Sequence, residues 1–159
     1  MTLDELIQRK LADWRPDAAG QTLVIDHPAI GWKAAVSAEC VETLGCRLRE
    51  VVLTRTSPLA STTSLAEQAR RIADRVTGLL EPLCLVEVDA EHGLAQLRSE
   101  SPARRGENVQ YYEVLRHADG TTRLGRFEVQ PNAAGKRNPV AFSLTIEALG
   151  KVVADLASD

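Results

Sequence analysis

The chain is poor in aromatic residues, in lysine and in long apolar segments. Aromatic side chains make up 4% of its 159 residues, and 22 acidic against 19 basic residues give a net charge of -3. A protein that binds nucleic acid through its overall charge would be basic, and a transmembrane helix needs about 20 consecutive apolar residues. The composition excludes charge-driven nucleic-acid binding as the main activity, and no membrane-spanning segment is predicted.

Cysteine is also scarce, with only Cys40, Cys46 and Cys84. Three cysteines cannot all pair within one chain, and their spacing lacks the Cys-x-x-Cys step of a redox or zinc site. We therefore expect reduced and mostly buried thiols. Asp4 and Glu5 stand where a secretory or transit peptide would carry basic residues, so we expect the protein in the cytoplasm.

What the chain does have is a high apolar content, with 44% hydrophobic residues. A chain of this length can bury about 70% of the surface that it exposes when unfolded, so its folding requires no disulfide or metal. No cofactor is predicted. No repeat, low-complexity segment or long linker divides the sequence, and we predict one globular domain over residues 1–159.

Three amphipathic helices are predicted from capping signals followed by helical periodicity. Thr2 and Glu5 form one capping box, Ser64 and Glu67 form another, and Thr145 caps the last helix. The apolar positions behind these caps recur three or four residues apart. They are Leu3, Ile7, Leu11 and Trp14, then Leu65, Ala69, Ile72, Val76, Leu79 and Leu80, and finally Ile146, Leu149, Val152, Val153 and Leu156.

Segments rich in β-branched and apolar residues, bounded by turn residues, predict strands. They cover 21–26, two strands within 32–55, then 83–89, 94–99, 109–117, 121–130 and 139–144. The segments 101–108 and 131–138 are predicted to be loops. Strands joined by tight turns are antiparallel neighbours, and amphipathic helices need an apolar surface to cover.

The predicted fold class is therefore α+β. It consists of an antiparallel sheet of about seven or eight strands with three helices mainly on one face, in the order α-βββ-α-ββββ(β)-α. Predicted core residues are Leu6, Ile7, Leu11, Leu23, Ile25, Val36, Val52, Leu65, Ile72, Val76, Val86, Val88, Leu97, Val114, Phe127, Leu149, Val153 and Leu156.

No catalytic motif is present. There is no Gly-x-Ser-x-Gly elbow, and residues 134–137 lack the Ser or Thr and the first glycine of a phosphate-binding loop. His27, His92 and His117 are scattered over turns and strand ends. No catalytic residue and no metal site is predicted.

A small acidic patch of Glu87, Asp89 and Glu91 lies at a predicted strand end and turn. Carboxylates in such a group could hold a divalent ion, but a solvated strand end and turn is the better explanation. The chain also has no lysine between Lys33 and Lys136, which counts against a metal-dependent nuclease.

Arginine and tyrosine are concentrated in the last predicted hairpin. Tyr111, Tyr112, Arg116, Arg123 and Arg126 could clamp an anionic ligand against an aromatic wall. These five residues are the predicted ligand-binding candidates.

The register of that hairpin decides what these side chains face, and the sequence allows two registers. A two-residue turn at Asp119-Gly120 would place Arg116 opposite Arg123, a like-charge pair that an anion could bridge. A three-residue loop with a glycine bulge would place Tyr112 opposite Arg126 and Arg123 opposite Leu115.

A second basic group consists of Arg104 and Arg105 in one predicted loop and of Lys136 and Arg137 in another. Exposed loop arginines suit contact with nucleic acid or with an acidic protein surface. Because the overall charge is acidic, such attraction would have to be local.

Three classes of function remain. The absence of catalytic motifs favours a non-catalytic protein-interaction module, adaptor-like or chaperone-like, that binds a partner protein or a second copy of itself. The order of elements resembles that of the small acidic secretion chaperones, with an additional hairpin and no matching motif residues, and this resemblance implies the same class. The alternatives are a domain or enzyme that binds a small anionic ligand in a pocket of the sheet, and weak nucleic-acid binding through the basic loops.

Overall fold

Three helices begin at the N-cap residues that the sequence predicts. The computed structural model describes residues 1–58, 63–131 and 135–157. The helices are α1 (Leu3–Asp13), α2 (Leu65–Arg75) and α3 (Ile146–Leu156). The side chains of Thr2, Ser64 and Thr145 each accept a hydrogen bond from the backbone N–H three residues later, at 3.2, 3.2 and 3.0 Å. These bonds satisfy N–H groups that the first helical turn leaves without partners.

The strands form one open antiparallel sheet in the order β1-β2-β3-β8-β7-β5-β4, with β10 paired to β3, β6 to β7 and β9 to β8. The predicted fold class and order of elements are confirmed. The strands are β1 (Gln21–His27), β2 (Trp32–Val41), β3 (Gly45–Arg55), β4 (Leu83–Asp89), β5 (Leu94–Ser99), β6 (Ala103–Arg105), β7 (Asn108–His117), β8 (Thr122–Val129), β9 (Arg137–Val140) and β10 (Phe142–Thr145).

The ten described strands exceed the predicted number because short strands were missed. β6 lies inside the predicted loop 101–108, and the single strand predicted over 139–144 is two strands. β3 pairs with β8 only from Val51 to Leu53. Beyond this contact the two strands diverge, so that β10 pairs with β3 and β9 with β8. Each of these short strands is hydrogen-bonded to a longer neighbouring strand. Because the longer strand positions it, its own sequence does not need a recognisable strand pattern.

All three helices cover the same face of the sheet, here called the inner face. α1 and α3 pack beside β1, β3 and β10, and α2 packs on β4, β5 and β7. Inner-face residues alternate along each strand with residues of the opposite face, as the pleat of a strand requires. The buried inner-face residues include Ile25, Ala34, Val36, Val51, Leu53, Leu97, Val114 and Leu124.

The opposite face, here called the outer face, carries no helix in the described ranges of the chain. One row of directly paired residues crosses it: Val24, Ala35, Val52, Arg123 and Leu115. Val24 is 58% exposed, while Ala35 and Val52 are half-buried. The apolar end of this row lies on β1, β2 and β3.

Three residues predicted in the core do not belong to it. Val52 and Phe127 are half-buried on the outer face. Val86 is 50% exposed at an irregularity in the β4–β5 pairing, between Leu85 and Glu87. A β-branched residue signals a strand but does not say which face of the strand is covered.

No helix within residues 1–58, 63–131 and 135–157 is long and apolar enough to cross a membrane.

Candidate functional site

The β7–β8 hairpin adopts the three-residue register. His117 donates its N–H to the carbonyl of Thr121 at 2.8 Å, and Gly120 donates to the carbonyl of His117 at 3.0 Å. Gly120 has a φ of 94°, a conformation that favours glycine. Tyr112 consequently pairs with Arg126, and Arg123 pairs with Leu115. The like-charge pair of the alternative register does not form.

This register places the five predicted ligand-binding residues on two faces. Tyr112, Arg116 and Arg126 lie on the inner face, and all three are at most 5% exposed. Tyr111 and Arg123 lie on the outer face, where Tyr111 pairs with Phe127 and Arg123 pairs with Leu115. The five side chains therefore do not line one pocket.

Arg126 is held by a carboxylate of the α2–β4 connection. Its Nη1 lies 3.0 Å from Oε1 of Glu81, and the two side chains are 5% and 11% exposed. The guanidinium lies 4.2 Å from the centre of the Tyr112 ring. Ser99 donates its hydroxyl to Glu81 at 3.1 Å and accepts the backbone N–H of Tyr112 at 2.8 Å. This arrangement, here called the Arg126 network, neutralises the buried charge within the protein.

Arg116 is fully buried and is held by neutral partners. It donates to Oε1 of Gln68 at 3.1 and 3.3 Å and to Oγ1 of Thr122 at 2.8 Å. Its guanidinium lies 5.5 Å from the centre of the Trp32 ring, and that of Arg55 lies 4.8 Å from the same ring. Burial, and after it the charge of Arg55, lowers the pKa of Arg116 to about 10. The guanidinium is still protonated at neutral pH.

A second ionic cluster lies on the outer face around Glu113, which is 2% exposed. Its carboxylate accepts hydrogen bonds from Arg137 at 2.7 Å and from Gln96 at 2.5 Å. Arg137 also lies 4.0 Å from the centre of the Phe127 ring, which contacts Tyr111 at a centroid distance of 6.1 Å. One of the predicted nucleic-acid contacts is therefore engaged in an internal ion pair.

The other basic candidates are exposed at one end of the sheet. Arg104 pairs with Val109, which pairs with Val129, which in turn pairs with Arg137. Arg105 and Lys136 are exposed beside this row. The fold thus brings the two predicted basic loops to the same end of the sheet, although Arg137 faces Glu113.

The predicted acidic patch borders a small cavity of about 190 Å³ on the outer face. Glu87 and Asp89 line it together with Glu113 and Arg137. Asp89 also accepts a hydrogen bond from the ring of His92 at 2.7 Å. Within residues 1–58, 63–131 and 135–157, no group of three or more His, Cys, Asp or Glu side chains is placed to hold a metal ion.

A wider groove of about 670 Å³ lies at the β2–β3 turn. Leu44, at the tip of the turn, is 82% exposed. Cys40, Cys46 and Leu144 contribute to the wall. Cys40 is exposed and Cys46 is buried, so the two thiols of this groove differ in access to solvent.

We expect the cysteines to react at very different rates. Burial, together with the neighbouring Cys40, raises the pKa of the Cys46 thiol to about 11. At pH 8 only about one Cys46 in a thousand is the reactive thiolate. A colorimetric thiol assay at pH 8 should show Cys40 reacting first and Cys46 only when the protein unfolds. Cys40→Ser should abolish the fast phase, and a fast phase that survives this change would contradict the assignment.

The chain was compared with models of protein families, with curated proteins and with solved structures. None of the three comparisons gave a match.

The sequence interpretation missed the residues that hold the arginines. Gln68 lies on α2, Glu81 follows α2, and Glu113 lies between two aromatic or β-branched neighbours on β7. Only Glu113 carried a local signal, because it is a carboxylate between Tyr112 and Val114 in the middle of β7. Gln68 and Glu81 are 48 and 45 residues from their arginines, so no spacing rule could pair them.

Proposed function

We propose that the chain is a non-catalytic protein-interaction module that binds its partner with the outer face of its sheet. The observation that carries this proposal is the uncovered outer face itself. Antiparallel sheets commonly expose one face to water, but that face is then polar along each strand. Here Val24, Ala35 and Val52 form an apolar row at its β1 side.

The arrangement of the buried arginines supports the same proposal. A small anion at Arg126 would have to displace Glu81 from an ion pair, and one at Arg116 would have to displace Gln68 and Thr122. Binding to the exposed Arg104 and Arg105 at the sheet end would be electrostatic and would weaken steeply with salt.

We also propose that the protein works in a reducing compartment such as the cytoplasm. The free thiols of Cys40, Cys46 and Cys84 support this proposal.

Site-specific photo-crosslinking in the cells that make the protein tests the proposal. A photoreactive side chain at Thr54 or Lys33, both exposed on the outer face, should give discrete protein adducts. The matched control is the same side chain at Asp74, exposed on α2. Equal adducts at all three positions, or none at Thr54 and Lys33, would contradict the proposal.

A thermal-shift screen separates the alternatives. Nucleotides, sugar phosphates, organic anions and divalent metals should leave the unfolding temperature unchanged. A ligand at 100 times its Kd would add about 2.7 kcal/mol to the stability. A clear shift that Arg116→Lys abolishes would favour the ligand-binding function instead.

A further inference from the structure

The two outermost strands of the sheet differ in how their free edges are protected. Natural proteins blunt edge strands with charges, bulges or proline, because a bare edge pairs with other strands. β4 has a pairing irregularity between Leu85 and Glu87, and it carries Glu87 and Asp89. β1 pairs with β2 without a shift from Gln21 to His27.

β1 also lacks the other protective features. Its seven residues, QTLVIDH, contain neither proline nor lysine, and Asp26 is the single carboxylate. Val24 at its centre is 58% exposed. Among the described strands, none pairs with the second edge of β1. The strand therefore offers a regular row of backbone donors and acceptors beside an exposed valine.

The sequence of β1 is complementary to itself when two copies run antiparallel. With Val24 opposite Val24 of the second copy, Leu23 faces Ile25 and Thr22 faces Asp26 of that copy. Apolar residues meet at the centre, polar residues meet at the ends, and no two like charges are opposed. A parallel arrangement in register would instead set Asp26 against Asp26.

Neighbouring registers are worse for identifiable reasons. A slip of one residue puts inner-face side chains opposite outer-face ones, which the pleat forbids in a continuous sheet. A shift that centres the axis on Leu23 puts Ile25 against Gln21, and one that centres it on Ile25 puts Val24 against Asp26. Only the register centred on Val24 keeps all three apolar residues together.

We infer that β1 is the interface between two copies of this chain, which pair antiparallel about a twofold axis at Val24. This inference goes beyond the proposed function, because the second copy pairs with the free edge of β1 and leaves the outer face open. The row Val24, Ala35 and Val52 then continues into the same row of the second copy. Both sets of helices lie on one side of the joined sheet, and the two strands exchange roughly six backbone hydrogen bonds.

The mass of the purified protein in solution is the first test. Sedimentation should give twice the 17.3 kDa of one chain. Val24→Lys places two lysines opposite each other at the axis and should give the single-chain mass. Val86→Lys, at the valine of the β4 edge that is 50% exposed, should remain dimeric. Circular dichroism and thermal unfolding confirm that each variant is folded.

Disulfide trapping gives a second readout that requires no loss of stability. Val24→Cys, made with Cys40→Ser to remove the exposed native thiol, should form a covalent dimer on mild oxidation. Residues directly opposed in an antiparallel pair have Cα atoms about 4.5 to 5.5 Å apart, within the range for a disulfide. Val86→Cys with Cys40→Ser is the control and should not be trapped.

Hydrogen exchange identifies strand pairing as the mode of contact. In a single chain, alternate N–H groups of β1 point to solvent and exchange quickly, whereas in the inferred dimer all of them are protected. A dimer that survives Val24→Lys, or that leaves alternate β1 amides unprotected, overturns the inference.

The outcomes also separate the inference from the proposed function. A protein that is monomeric at the highest concentration tested, but still gives adducts with other proteins at Thr54, overturns self-pairing and leaves the interaction module standing. A monomer without outer-face adducts overturns both.

Discussion

Arg126→Met should lower the free energy of unfolding by about 3 to 5 kcal/mol, because it leaves the carboxylate of Glu81 buried without its cation. The two side chains are 5% and 11% exposed, and their closest atoms are 3.0 Å apart. Methionine keeps an apolar side chain over the Tyr112 ring. The loss in free energy of unfolding therefore comes mainly from the missing positive charge and less from lost packing. Equilibrium unfolding in urea, with unchanged dependence on urea concentration, measures it.

A double-mutant cycle completes this experiment. Arg126→Met combined with Glu81→Leu removes both charges and should cost less than the sum of the two single changes. The matched control is Arg123→Met, which removes the arginine of an exposed pair with Glu50, whose side chains are 49% and 36% exposed. We expect a loss below about 1 kcal/mol there. Similar losses at Arg126 and Arg123 would show that the Arg126 network is solvated.

Ile72→Ala should destabilise the protein by about 2 to 5 kcal/mol, because it removes buried atoms and leaves a cavity. Ile72 is 1% exposed on the buried face of α2. This helix covers β4, β5 and β7, so its packing supports the half of the sheet that carries the Arg126 network. Urea unfolding again provides the measurement.

Val86→Ala is the comparison for Ile72→Ala, since the sequence predicts both residues in the core. The structure exposes half of the Val86 side chain. We expect this change to alter the stability by no more than about 0.5 kcal/mol. If Val86→Ala costs as much as Ile72→Ala, the Val86 side chain is not exposed at the edge of the sheet.

The elements that the sequence predicted well are those set by local signals. Capping residues next to a helical apolar period located α1, α2 and α3 to within a few residues, with one exception at the end of α2. Leu80 was predicted on its apolar face, but α2 ends at Arg75 and Leu80 is 79% exposed. Tight turns likewise identified the long strand pairs, because a short turn forces its two strands to be antiparallel neighbours.

The candidate site could be located only in part. The sequence correctly singled out the β7–β8 hairpin as rich in arginine and tyrosine, and it included the observed register as one of two possibilities. The protein adopts the register with the three-residue loop, in which Gly120 has a positive φ. The two registers differ by one residue, and this difference decides whether Arg116 pairs with Thr122 or with Arg123.

The sequence by itself determined the class and order of elements, because helix periods, caps and turns act over a few neighbouring residues. The tertiary structure alone decided that Arg126 is neutralised by Glu81, that β9 and β10 fill the gap where β3 and β8 diverge, and that β1 keeps a free edge. Each of these depends on residues or strands far apart in the chain. Their contacts follow from how the helices and strands pack, which no local pattern encodes.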